Sequence, residues 1–154
     1  MIKRFYPSNL PEFPYEPKSD RFAIRRISDN VGEGVIALTS FEPGDIAFAF
    51  TGFLTNYITQ FTLKFADGLH IHDPYFMGKI LHCCEPNTIC DMSRRVFITV
   101  KPIAAGGIVT MDYAQTEDVL FKPFFCSCGA LHCRGYVTGK LETVTTEADL
   151  LIKS

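Results

Sequence analysis

The chain has 154 residues, of which 47% are hydrophobic and 21% charged, with a formal net charge of −2 and six cysteines. That size and apolar content fit one domain able to bury ~70% of its unfolded surface, and they exclude a largely disordered chain. A charge this close to zero gives no basic stripe for nucleic acid, and no run of roughly 18 apolar residues is available to cross a membrane, so neither partner is expected.

Residues 1–20 carry Pro7, Pro11, Pro14 and Pro17 among Phe5, Tyr6, Phe13 and Tyr15, a pattern that disfavours helix and predicts an extended arm lying across a sheet. They lack the apolar stretch of a secretory leader, which gives the expectation of a soluble intracellular protein, cytoplasmic or nuclear. From Arg21 onward, short β-branched and aromatic runs predict strands over 22–27, 35–38, 46–50, 57–65, 96–100 and 108–113. Turn chemistry separates them at Ser28-Asp29-Asn30, Glu42-Pro43-Gly44-Asp45, Ala66-Asp67-Gly68 and Ala105-Gly106-Gly107. Helix is expected only near 75–81 and over 146–152, the latter opened by Thr146-Glu147-Ala148-Asp149, which is similar to a capping box. The fold class is therefore mainly β with a little helix (α+β). His70 and His72 alternate on one face of a predicted strand, and two such residues without a third ligand read as surface histidines.

The cysteines carry the chemistry. Cys126, Cys128 and Cys133 form a C-x-C-x4-C cluster, and Cys84 opens Cys84-Glu85-Pro86-Asn87 far upstream. Thiolates on short spacers converge readily on one tetrahedral Zn2+, with a remote fourth ligand tying the end of the chain to its body. Gly129 lets the backbone wrap closely around such an ion. The other reading is two disulfides or buried free thiols, and clustered cysteines in an intracellular chain favour metal over it. His132, inside the loop, is the substitute ligand should Cys84 not take part.

Around these cysteines the sequence resembles SET-domain methyltransferases. His82-Cys83-Cys84-Glu85-Pro86-Asn87 is similar to the family's Asn-His-Ser-Cys-x-Pro-Asn signature, and the stretch from Phe125 to Gly135 is similar to its post-SET segment. Val31-Gly32-Glu33-Gly34-Val35, followed by Phe41-Glu42-Pro43-Gly44, resembles the opening Gly-x-Gly strand and turn. Val109-Thr110-Met111-Asp112-Tyr113 resembles the segment ending in the catalytic tyrosine. All four occur in the family's order, over about 21–139. The resemblance implies a SET β-clip fold of small curved sheets, in which the 82–87 segment packs against Asp112-Tyr113 as a pseudoknot. It divides the chain into an arm (1–20), a SET domain (21–120), a post-SET zinc segment (121–139) and a tail (140–154) that is a candidate dimer contact.

What the resemblance implies for function is S-adenosylmethionine-dependent methylation of lysine side chains in a protein or peptide, a histone among the candidates. Tyr113 would be catalytic. Gly32, Glu33, Gly34, Val35, Leu81, His82, Tyr113 and Phe125 would hold the cofactor. Phe50, Cys90, Met111 and Phe121 would line the substrate channel, and Cys84, Cys126, Cys128 and Cys133 would bind zinc. A lysine amine, with pKa about 10.4 in water, must lose its proton before attacking a sulfonium methyl, and a dry aromatic channel beside a positive sulfonium favours that loss. Two departures bear on this. Phe50 lacks the hydroxyl of the family's tyrosine, and Leu81 replaces an asparagine whose side chain holds the cofactor, a loss of about one decade in affinity. They keep two alternatives open: a SET module that binds a partner or dimerises without catalysis, and a methyltransferase of a small free amine, for which the short 51–80 insert speaks.

Overall fold

The computed structural model describes residues 1–142, and the helix expected over 146–152 lies outside them. Strands β1 (Phe22–Ser28) and β2 (Gly32–Ala37) form an antiparallel hairpin. Gly32 closes it at φ +81°, a conformation that side-chain-bearing residues rarely adopt. Next come β3 (Ile46–Ala49), β4 (Phe53–Thr55), β5 (Thr62–Ala66), β6 (Leu69–His72) and one 3-10 turn (Met77–Lys79). They are followed by β7 (Leu81–His82), β8 (Thr88–Asp91), β9 (Val96–Thr99), β10 (Thr110–Met111), α1 (Tyr113–Thr116), β11 (Phe124–Phe125) and β12 (Tyr136–Val137). The strands build five small sheets, two of three strands in the orders β3-β9-β8 and β4-β6-β5, and three pairs.

The differences from the sequence reading have local causes. The strand expected over 57–65 starts only at Thr62, as β5, because the Thr62 hydroxyl accepts the Thr59 N–H and donates to the Thr59 carbonyl, giving the chain before it a turn in place of a ladder. The 108–113 strand shrinks to Thr110–Met111, since the Asp112 carboxylate accepts the Ala114 N–H at 3.0 Å and starts a helical turn. In the 75–81 region only one 3-10 turn forms before Leu81 enters β7.

An aromatic core joins the sheets. Phe22 stacks on Phe41 and Phe48 on Phe97, with Phe76 set edge-on to both Phe22 and Phe48 at 5.2 and 4.8 Å between centroids. All five rings are fully buried, and each such pair contributes ~0.5–1.5 kcal/mol beyond its buried area.

The first twenty residues are not an extended arm. They fold back as a closed loop, with Arg4 bridged to Lys18 and the Arg4 guanidinium gripping Glu16 through two bonds of 2.6 and 2.7 Å. The prolines set the loop's turns, as at Leu10 N–H to Pro7 carbonyl. Its anchor is Tyr6, whose buried hydroxyl donates to Asp73 Oδ2 at 2.6 Å. Asp73 is fully buried and accepts backbone N–H bonds from Tyr75, Phe76 and Met77, so it organises the 3-10 turn. Burial raises its pKa above the usual carboxylate value, and those four donors oppose the rise.

Replacing Tyr6 by Phe keeps the packed ring and deletes the bond to this carboxylate together with the weaker one the hydroxyl accepts from the Thr51 N–H at 3.3 Å. It should lower stability by about 1–3 kcal/mol, read as a lower urea midpoint at unchanged slope, and an unmoved midpoint would refute the anchor.

Candidate functional site: a cysteine cluster beside a tyrosine-floored cleft

Strands β7 and β10 pair in parallel, Leu81 opposite Thr110 and His82 opposite Met111. Residues 29 positions apart thereby meet. Cys83 N–H donates to the Met111 carbonyl at 2.9 Å, and Asn87 ties the next turn to Thr110 by bonds of 3.0 and 2.8 Å. The packing of the 82–87 segment against Asp112-Tyr113 implied by the resemblance is thus present.

Cys84, Cys126, Cys128 and Cys133 bring their sulfurs within 4.8 Å of one another. Zinc–sulfur bonds of about 2.3 Å place tetrahedral sulfurs about 3.8 Å apart, so the four fit one Zn2+ with little adjustment. None of the six cysteines is in a disulfide, and Cys83 stays outside the cluster with its thiol toward the Glu85 carbonyl. His132 is exposed and is not part of the group. The sulfurs also receive backbone donors: Cys84 N–H points at Cys128 Sγ at 3.5 Å and Arg134 N–H at Cys84 Sγ at 3.4 Å. Burial opposes ionisation of Cys128, yet the backbone N–H groups of Cys84 and Ala130 and its neighbouring thiols lower its pKa to about 6, which suits a metal-binding thiolate. His70 and His72 gather no third ligand among the described residues.

Tyr113 begins α1 directly after the Asp112 cap. Its hydroxyl donates to the Ile80 carbonyl at 2.7 Å, and its backbone N–H donates to His82 Nδ1 at 3.1 Å. Burial pushes the phenol up to about 12, so it stays protonated at neutral pH. Burial pulls His82 down to about 4, with Arg134 adding to the fall and Asp112 opposing it. The ring is therefore neutral, and Asp112 Oδ1 at 3.7 Å from Nδ1 is a neighbour rather than an ion-pair partner. Phe124 sets its ring edge-on to both His82 and Tyr113, closing an aromatic corner.

Tyr113 lies on the wall of a cleft of about 570 Å3. Of the residues singled out in the sequence, Gly32, Glu33, Leu81, Met111 and Phe121 share that lining. Gly34 lies buried beneath it, where a Cβ would come within 2.7 Å of Leu81 Cδ1, so the missing side chain makes room for the leucine. Val35 is core, and His82 stands behind Tyr113. Phe125 is 60% exposed and packs on Tyr136, so of this adjacent pair it is Phe124 that lines the cleft. Phe50 lies elsewhere: it packs edge-on to Phe97 and lines a separate groove under the 10–15 loop. Cys90 is buried outside the cleft lining, and burial, with Asp91 and Glu117 nearby, raises its thiol to about 12. The spacing argument missed Lys79, whose ammonium meets Glu33 at 3.0 Å on the rim, and Glu117, a buried carboxylate in the cleft. Neither sits in a motif that could have marked it.

No protein-family model matches the chain. A protein called methyltransferase flvH from Aspergillus flavus is 30% identical over 86 residues, covering 53% of this chain and 47% of that protein. The crystal structure of KRYPTONITE in complex with mCHG DNA and SAH matches at a TM-score of 0.62 and 22% identity, over 75% of this chain and 28% of that one. A second KRYPTONITE structure, with mCHH DNA, an H3(1-15) peptide and SAH, gives 0.60 and 22% over 75% of this chain and 29% of that one. An active polycomb repressive complex 2 in the basal state gives 0.54 and 17% over 65% of this chain and 16% of the other. The chain thus spans about half the length of flvH and under a third of these solved chains. The chain shares the fold of these solved structures, mostly small β-sheets with a cysteine cluster near the C-terminal end of the described residues, as its motifs led one to expect.

Metal analysis of the purified chain should find roughly one zinc per molecule, and Cys128→Ser should bring that to near zero while loosening the 121–139 segment, as measured by amide exchange. Metal-free protein with the segment still protected would contradict the assignment.

Proposed function

We propose that the chain is a zinc-containing, S-adenosylmethionine-dependent N-methyltransferase acting on lysine side chains of a protein or peptide. The observation that carries this reading is the Tyr113 hydroxyl, neutral and fixed by the Ile80 carbonyl, in the wall of a cleft shared with the Gly32-Glu33 turn. The names of the similar proteins support it: flvH is a methyltransferase, and KRYPTONITE is bound to SAH and to an H3 peptide. KRYPTONITE is also bound to DNA, so the expectation that nucleic acid is no partner has no support from these neighbours. A whole-chain charge of −2 speaks only to the average surface.

S-adenosylmethionine, when bound, supplies an electrophilic methyl group on sulfur. The rest follows from the chain's own groups. A phenol has one proton to donate and two lone pairs to offer. The Tyr113 proton is committed to the Ile80 carbonyl, so toward a lysine nitrogen its oxygen serves as an acceptor only. It can therefore hold an N–H of the amine while leaving the nitrogen lone pair free to attack. Being uncharged, it does not stabilise the ammonium form, and the apolar Met111, Leu81 and Phe124 around it disfavour that form further. Positioning and water exclusion carry the catalysis here, which is the division of labour expected when no strong base is present.

The second reading, a SET module that binds without transferring methyl groups, is favoured by Leu81, which occupies the space over Gly34 with a side chain that cannot hydrogen-bond. One calorimetric titration separates the two. Under the first reading S-adenosylmethionine binds with measurable heat, and radiolabelled methyl groups reach histone or lysate protein in preference to free lysine; under the second there is no heat at all. Tyr113→Phe should bind the cofactor as before and turn over ~10²-fold more slowly, since the amine loses the group that aligns it. Full activity in that variant would remove Tyr113 from the mechanism. Leu81→Asn should tighten cofactor binding up to about tenfold by restoring a hydrogen-bonding side chain, and weaker binding in the titration would argue against a cofactor site at this position.

A further inference from the structure

Two hydrogen-bonded links run from the cysteine cluster to Tyr113. The first is His82, whose Nδ1 accepts the Tyr113 N–H at 3.1 Å. A neutral imidazole has one donor and one acceptor, so its proton is on Nε2, which lies 3.3 Å from Cys84 Sγ and donates to it. The second is Arg134, directly after Cys133. Its backbone N–H points at Cys84 Sγ at 3.4 Å, and its guanidinium grips Asp112 through Nη2–Oδ1 at 2.6 Å and Nη1–Oδ2 at 3.0 Å. Asp112 in turn accepts the Ala114 N–H and fixes the start of the turn that carries Tyr113.

The links differ in kind. His82 is 3% exposed in its side chain and belongs to the packed centre, so changing it would disturb everything around it. The Arg134 side chain is 41% exposed; its backbone N–H meets Cys84 Sγ, and its Nη2 also lies 3.5 Å from His82 Nε2, so the two links touch at their outer edge. It is therefore placed to report on the cluster's closure without being needed for the fold. The planar fork also fixes direction as well as distance, because a bidentate pair tolerates little rotation of the carboxylate it holds.

We propose that Arg134 and Asp112 are positioning residues that couple closure of the metal-binding cysteine loop to the orientation of Tyr113. When the cluster is closed around its ion, the Arg134 backbone is fixed and the guanidinium holds Asp112, and through the cap it holds the tyrosine against Ile80. When the loop loosens, the fork leaves and Tyr113 gains rotational freedom. The site then loses turnover before it loses its ability to bind. This rests on the methyltransferase reading for its consequence, though not for the coupling itself. An exposed ion pair is a modest interaction, so the effect on turnover is a few-fold, not an abolition.

The test uses the zinc-loaded full chain with tyrosine rings labelled for NMR, the Tyr113 signal being assigned by its loss in Tyr113→Phe. Arg134→Gln and Asp112→Asn should each keep roughly one zinc, melt within a few degrees of the parent, and shift and broaden the Tyr113 signal alike. The double variant should add nothing to either single one, because both break the same link. Removing zinc from the parent with a chelator should move that signal the same way. In turnover assays kcat should fall about 3- to 10-fold with the Michaelis constant for S-adenosylmethionine unchanged, and Arg134→Lys should recover only part, lacking the fork. An unmoved Tyr113 signal in either single variant, additive effects in the double variant, or loss of zinc from Arg134→Gln would each overturn the proposal. The signal and zinc measurements need no methyl transfer, so an inactive parent would sink the proposed function while leaving the coupling to be decided on its own.

Discussion

A parallel ladder of two residues is far too short to hold itself together, yet the β7–β10 pairing is the constraint on which the rest of the site depends. Its strength comes from side chains. Asn87 donates its backbone N–H to Thr110 Oγ1, accepts the Thr110 N–H on Oδ1, and donates Nδ2–H to the Ile108 carbonyl. The Thr88 hydroxyl adds a bond to the Thr110 carbonyl at 2.6 Å. Four bonds from two adjacent residues thus replace the missing length of strand. Each is worth about 1 kcal/mol net in isolation, but none can be given up cheaply once the groups are out of water. From this knot Tyr113 leaves on one side, and His82 and Cys84 on the other, so their relative positions are set before any ligand arrives.

The electrostatics of the site follow from what the knot excludes. His82 and Tyr113 are both held neutral by burial, and the charges near them, Asp112 and Arg134, cancel through a bidentate pair. A cationic sulfonium or ammonium entering the cleft therefore meets little opposing charge from this corner, while the rim carries Glu33 already paired to Lys79. Such a site discriminates by shape and desolvation more than by long-range attraction, consistent with a whole-chain charge near zero.

Sequence and structure agree most where covalent spacing limits the geometry. C-x-C-x4-C leaves three sulfurs few arrangements, and the four cysteines do converge. They agree least where one residue of register decides the outcome. Phe124 and Phe125 are neighbours on a two-residue strand, and successive side chains on a strand point to opposite faces. With no flanking alternation to fix the phase, the pattern could not tell which ring enters the cleft. Phe50 shows the converse: it continues the parity of Phe48, and both rings pack on Phe97, so period two would have placed it in the core. The Arg134–Asp112 fork spans 22 positions and leaves no local signature at either end. The closed N-terminal loop was hidden for the same reason, since prolines speak to φ and turns while the bond that closes the loop is an ion pair between Arg4 and Glu16.

That loop reaches the site through a chain of contacts. Tyr6 holds Asp73, Asp73 caps the backbone from Tyr75 to Met77, and the 3-10 turn delivers Ile80 immediately before β7. The carbonyl that accepts the Tyr113 proton is thus at the end of a segment whose start is fixed by the sixth residue of the chain. A shift of that carbonyl by half an ångström would lengthen the 2.7 Å bond beyond the usual range for O–H donors. The phenol would then be free to turn its proton toward an incoming nitrogen and block the lone pair it is meant to leave open. On this argument the first twenty residues contribute to the direction of one hydrogen bond, some seventy residues downstream, as much as to the stability of the fold.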